Sequence, residues 1–207
     1  MFFLYQILII IIIIFSPIII LIRLFKKKEH PIRFKEKFSI QSKKRSKGNL
    51  IWFHGASVGE ILSIIPLVKK LEKNKEIKTI LITSSTISSA IVYKQYKSKK
   101  TVHQFFPIDS YLFTNKFLKY WQPSIAIFID SEIWPNMYLN IKKKNIPLLL
   151  LNARITKKSF ERWSTFKKFS KSIFNIIDIA YPQNKETLNY LKRLNVSKIF
   201  VDCVYGV

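Results

Sequence analysis

A single cysteine, Cys203, occurs in 207 residues. No disulfide can form within the chain, which suits a reducing compartment, and no thiolate zinc site can be built. The three histidines, His30, His54 and His103, are scattered without metal-ligand spacing. Glycine is scarce, at four residues, and no Gly-Lys-Ser/Thr follows any of them, which excludes a Walker-type phosphate loop. Acidic residues are few: 12 against 36 basic, a formal charge of +24. That imbalance favours anionic partners such as phosphate-bearing lipid or a membrane surface, although a drift towards Lys and Ile is a second source of it. No helix-turn-helix, zinc or RNP signature accompanies the charge, so nucleic acid is not expected as a partner.

What the chain does have is a long apolar run. Phe2 to Ile22 carries no charge and is interrupted only by Gln6, Ser16 and Pro17. About 20 such residues suffice to cross a bilayer as a helix. A cleaved signal peptide expects a basic start and a small-residue cleavage pattern, and neither is present. Residues 2–23 are therefore read as an uncleaved single-pass anchor. Arg23, Lys26, Lys27 and Lys28 follow at once, and basic residues recur to Lys47 against only Glu29 and Glu36. The positive-inside rule then puts the rest of the chain on the cytoplasmic side. Residues 24–48 read as a basic juxtamembrane linker, either holding anionic headgroups or simply solvated.

From residue 49 to 207 the pattern changes to alternating elements. Apolar runs suited to buried strands cover Leu50 to His54, Thr79 to Thr83, Val102 to Phe106, Ser124 to Ile129 and Pro147 to Leu151. Helical spacing lies between them at Val58 to Leu71, Leu112 to Tyr120 and Trp134 to Ile141. A last pair is expected at Asn184 to Leu194 and Lys198 to Val201. Such alternation predicts an α/β domain, one Rossmann-like parallel sheet covered on both faces. Ligands of such sheets gather at the C-terminal strand ends.

The informative motifs fall there. In His54-Gly55-Ala56-Ser57-Val58-Gly59-Glu60, two of the four glycines precede a helix. Ser57 and Glu60 either form a capping box, or Glu60 stands at the mouth of the sheet as a general base. Asp130-Ser131-Glu132-Ile133-Trp134-Pro135-Asn136 brings two carboxylates and an indole to another strand end. Its alternative is a helix start capped by Asp130 or Ser131. Asn152-Ala153-Arg154-Ile155-Thr156-Lys157-Lys158-Ser159 either binds phosphate or carboxylate, or is a solvated turn. Thr83-Ser84-Ser85-Thr86 offers hydroxyls for a helix cap or for a sugar.

Taken in this order, from near Arg33 to the end of the chain, these motifs resemble the N-terminal domain of the Kdo transferases (3-deoxy-D-manno-octulosonic acid transferases) of Gram-negative bacteria. Ile51 to Glu60 is similar to that family's glutamate loop, and His103 to Asp109 to its histidine, proline and aspartate segment. Glu132 to Asn136 matches its E-x-W-P-N signature, and Asn152 to Arg154 with Ser159 its Asn-Ala-Arg segment. The resemblance implies the N-terminal, acceptor-side half of a GT-B fold. It implies inverting transfer of Kdo from CMP-Kdo to the anionic lipid A precursor (lipid IVA), with no cofactor and no metal. It implies Glu60 as the base and Glu132 as a second catalytic carboxylate, with Ser57, Gly59, Thr83, Ser84, Asn152, Arg154 and Lys158 on the acceptor side.

Gly55-Ala56 stands where the family usually has alanine then valine. The Thr83 to Ser89 loop lacks the usual glycine, and Lys158 replaces a frequent arginine. The family's interdomain linker is expected near Tyr205-Gly206-Val207, with the donor-binding C-terminal domain beyond it, so the chain reads as a fragment, as one piece of a split enzyme with that domain as a separate partner, or as a truncated product. On that expectation the chain is either the acceptor half of an enzyme or a membrane-tethered acceptor-binding module, inactive alone.

Overall fold

The computed structural model describes residues 2–200. Six strands form one all-parallel sheet: β1 (Asn49–His54), β2 (Ile77–Ser84), β3 (Thr101–Phe105), β4 (Ile125–Ile129), β5 (Leu148–Ala153) and β6 (Ile179–Pro182). Their spatial order is β3-β2-β1-β4-β5-β6. Eight α-helices accompany them among the described residues. They are α1 (Phe2–Phe25), α2 (Val58–Glu72), α3 (Ile87–Gln95), α4 (Tyr111–Trp121), α5 (Pro135–Lys143), α6 (Lys157–Ser164), α7 (Lys167–Phe174) and α8 (Lys185–Arg193). Helix α4 carries the chain from edge strand β3 back to β4, beside β1. The strand order reverses there, between β1 and β4, and the C-terminal ends of strands at such a switch point are where ligands of open α/β sheets bind.

Strand alternation sorts side chains onto two faces. Leu50, Trp52, Leu81, Ala126, Phe128, Leu148 and Leu150 share one core with α4, α5, α7 and α8. Phe53, Ile80, Ile82, Ile127 and Ile129 share the other with α2 and Tyr93 of α3. The period of two along each strand dictates this split. Burial of each such side chain contributes about 1.5–3 kcal/mol relative to exposure. The expected Rossmann-like sandwich is therefore what forms. The last strand is not where it was expected. Among the described residues, Lys198 to Phe200 makes only an isolated bridge, Ala180 to Ile199, and the sixth strand is Ile179–Pro182, paired with β5; Val201 lies outside the described residues. Asp178 fixes the register at the strand's start by accepting the Leu148 amide at 2.8 Å.

Residues 24–48 are more than a linker. Arg33–Phe38 is a 3₁₀ turn with Glu36 fully buried. Arg33 donates to both Glu36 oxygens at 2.8 and 3.0 Å and to the His103 carbonyl at 2.9 Å. The Phe105 amide donates to Glu36 Oε2 at 2.7 Å, and the Ser42 hydroxyl reaches the same carboxylate. This network ties the segment to β3. Burial, with the Arg33 charge, drives the His103 pKa down to about 3, so its ring is neutral at physiological pH.

The N-terminal run is one helix, long and apolar enough to cross a membrane by length and composition. Pro17 does not break it. Proline has no N–H for the Ile13 carbonyl, and the Ser16 hydroxyl donates to that carbonyl instead, at 2.7 Å.

Candidate active site at the strand switch point

The loop after β1 delivers Glu60 in the first turn of α2. Ser57 is the helix N-cap, accepting the Glu60 amide at 3.3 Å while its hydroxyl donates to Glu60 Oε1 at 2.5 Å. The Ala56 amide donates to Glu60 Oε2 at 2.8 Å. The capping reading is thus realised, and it also orients the carboxylate. These bonds fill two of the four lone-pair sites of an ionised carboxylate. Gly55 makes the close approach possible, since a Cβ on it would stand 2.9 Å from Glu60 Cβ. Gly59 faces open space, with nothing within 4 Å of where its Cβ would be.

The loop after β4 begins with Asp130 in the left-handed region, φ 60°, a conformation that Asp tolerates better than most residues. Burial raises the Asp130 carboxyl, against the opposing pull of the Arg154 charge. Glu132 follows. Its Oε2 accepts Trp134 Nε1–H at 2.8 Å and His54 Nε2–H at 3.1 Å. A carboxylate can only accept, so His54 Nε2 is the donor, while Nδ1 lies 3.0 Å from the Thr83 hydroxyl and 3.3 Å from the Thr83 carbonyl. The imidazole is fully buried and stacked on Phe106 at 3.8 Å. Burial raises the Glu132 carboxyl, but the His54 and Trp134 hydrogen bonds and the imidazole outweigh it, and its pKa ends below the usual range.

Neither Asp130 nor Ser131 caps α5. Asp109, from the loop after β3, does so by accepting the Asn136 and Met137 amides at 3.0 and 2.8 Å. An anion there satisfies two orphan donors and the helix dipole. Burial pushes the Asp109 carboxyl up, with its hydrogen bonds pulling the other way.

At the end of β5, Asn152 adopts φ 53° where the pairing with β6 slips, and Asn152, Arg154 and Lys158 are exposed on the same C-terminal edge. Thr156 caps α6 by accepting the Ser159 amide at 3.3 Å. Thr83 and Ser84 depart from expectation. Both are fully buried, Thr83 engaged with Trp52 and His54, and Ser84 with His103 Nε2 at 2.9 Å. They support the site from beneath and present no hydroxyl to a sugar. In that loop Ser85 and Thr86 are the ones that reach the surface.

Residues 32–204 match the family model described as 3-deoxy-D-manno-octulosonic-acid transferase (kdotransferase). The chain belongs to this family. The 3-deoxy-D-manno-octulosonic acid transferase of Rickettsia bellii is 39% identical over 180 residues, 87% of this chain and 43% of its own length. That of Rickettsia prowazekii is 40% identical over 149 residues, covering 72% and 32%. That of Haemophilus influenzae is 28% identical over 154 residues, covering 71% and 36%. The chain thus spans less than half the length of each of these Kdo transferases. Glu60 and Glu132, the two carboxylates expected from the family likeness, follow the adjacent strands β1 and β4 at the switch point, Glu60 in the first turn of α2 and Glu132 in the loop after β4. His54 and Asp109 complete the arrangement, and sequence reasoning assigned neither a role. The available signal for His54 was a histidine ending a buried strand directly before the glutamate loop.

Proposed function

We propose that this chain forms the acceptor side of a Kdo transferase of lipopolysaccharide biosynthesis, moving Kdo from CMP-Kdo to the lipid A precursor (lipid IVA) at the cytoplasmic face of the inner membrane. The observation that carries this reading is the pair of carboxylates at the β1/β4 switch point, Glu60 with lone pairs to spare and Glu132 held ionised by His54 and Trp134. In the proposed reaction an acceptor hydroxyl oxygen bonds to the anomeric carbon of Kdo from the face opposite the nucleotide. The bond from that carbon to the CMP phosphate oxygen breaks, CMP leaves with its electron pair, and Glu60 takes the hydroxyl proton. The configuration inverts. Arg154 and Lys158, exposed in the segment that follows β5, suit the phosphates of the acceptor. The donor nucleotide is bound by a C-terminal domain of the family, the partner this half of the fold requires.

The test is Glu60→Gln in the chain joined to such a donor domain, assayed with CMP-Kdo and lipid IVA. The variant keeps the shape and loses the base. Transfer is expected to fall by about 10²–10⁴-fold in a folded enzyme. A purely capping Glu60 predicts only a stability loss of about 0.5–2 kcal/mol. Near-normal turnover in a well-folded Glu60→Gln enzyme would overturn the base assignment and leave Glu132 as the candidate.

A further inference from the structure

Helix α1 is held against the domain at both ends. In its first turns the Tyr5 hydroxyl donates to Asp109 Oδ2 at 2.5 Å, and Gln6 Nε2 donates to Asn136 Oδ1 at 2.6 Å. The Phe2 and Tyr5 rings lie 6.3 and 6.4 Å from Phe169 of α7. In its last turn Arg23 donates to the buried Glu29 at 3.1 Å, and Glu29 also takes Lys37 at 2.5 Å. Between the ends Ile9, Ser16 and Ile20 are buried. The polar side chains of the helix, Tyr5, Gln6, Ser16 and Arg23, all lie on its covered face. The opposite face, through Leu4, Ile11, Ile18 and Ile22, is exposed and wholly apolar.

Tyr5 and Arg23 are roughly 27 Å apart along the helix axis, close to the ~30 Å of a bilayer's hydrocarbon core. In a spanning helix they would lie at opposite surfaces, and one domain on one side could not touch both. Water does not suit the exposed face either, because it is far more apolar than a soluble surface sustains. The exposed Lys26, Lys27 and Lys28 at the helix end complement anionic headgroups.

We propose that α1 lies in the plane of an anionic bilayer, its Leu4–Ile11–Ile18–Ile22 face among the acyl chains and its polar face latched to the domain. The C-terminal edge of the sheet, where Asp109 and Asn136 hold the helix, then abuts the membrane surface. A lipid acceptor can present its headgroup to the site without withdrawing its acyl chains. This placement rests on the membrane-bound reading above only for the bilayer itself.

The experiment measures depth. Single cysteines at Leu4→Cys, Ile11→Cys, Ile18→Cys and Ile22→Cys, each in the full chain carrying Cys203→Ser, are spin-labelled. The protein is reconstituted in vesicles of phosphatidylethanolamine and phosphatidylglycerol, and accessibility to oxygen is compared with that to a water-soluble nickel chelate. All four labels are expected at one common depth, about 5–10 Å below the headgroups. A profile deepest at Ile11 and shallow at Leu4 and Ile22 overturns the in-plane placement, and so do four water-exposed labels. In a Tyr5→Phe, Gln6→Leu background the Leu4 label is expected to change depth; an unchanged depth overturns the latch. No transfer is measured, so failure here leaves the Kdo transfer reading intact, and failure of the Glu60→Gln test leaves this one intact.

Discussion

His54 Nε2 meets Glu132 Oε2 at 3.1 Å, joining the last residue of β1 to the loop after β4 across the point where the sheet reverses. The two residues are 78 positions apart in the chain. The imidazole is fully buried, so the carboxylate is held by a donor that cannot turn away to water. A double-mutant cycle of His54→Ala and Glu132→Ala, followed by denaturant unfolding, is expected to give a coupling energy of about 0.5–3 kcal/mol. Additive losses would show that the contact contributes nothing.

The lowered pKa of Glu132 has a signed consequence. Its folded value lies below the unfolded carboxyl value of about 4.3. The stability it contributes is therefore complete above that value and lost as pH falls through the folded pKa. The stability difference between the native chain and Glu132→Gln is expected to be flat from neutral pH down to about 5.5 and to shrink below about 4.3. A difference that grows on acidification contradicts the assignment.

Gly59 sits in the first turn of α2 with open space before it. A Cβ at position 59 meets no neighbour, and Gly59→Leu relieves the helix of a glycine, which costs up to about 1 kcal/mol. The variant is expected to melt no lower than the native chain. If the open space receives the acceptor, transfer should fall at least about tenfold, the loss given by 1.4 kcal/mol of binding. Unimpaired transfer would place the acceptor elsewhere.

Glu36 is a buried anion shared by Arg33, Ser42 and the Phe105 amide. Removing it strands the Arg33 charge, and a broken buried pair costs about 3–5 kcal/mol. Glu36→Ala is expected to lose that much in urea unfolding, and a chain begun at residue 49 is expected to lose more. Native-like stability of the shortened chain would restore residues 24–48 to the status of a linker.

The central strands were legible because a sheet covered on both faces needs continuous apolar runs, and Leu50 to His54 or Ile125 to Ile129 cannot easily be anything else. The outer elements were not. Two short apolar runs, Ile176 to Ala180 and Lys198 to Val201, compete for the same edge. The winner is set by Asp178 meeting the Leu148 amide, a contact 30 residues distant. Helix α3 was missed because Ser88, Ser89 and Ala90 blur its periodicity, and α6 and α7 because lysines crowd theirs. At the site, the motifs marked the correct edge, but not which hydroxyls open onto it. Thr83 and Ser84 end a strand that is buried on both faces, so they serve the histidines beneath. The cap of α5 came from Asp109 rather than from its own loop, which no local spacing reveals.

The contacts of Tyr5 and Gln6 also set an order of events during synthesis. Their partners, Asp109 and Asn136, lie 104 and 130 residues further along the chain. At ribosomal rates of roughly 5–20 residues per second, the first helix waits on the order of ten seconds for its docking surface to exist. Through that interval its isoleucines need another host, and the bilayer is the one at hand. The lipid would then receive the helix first, and the folding domain would assemble against a segment already in the membrane.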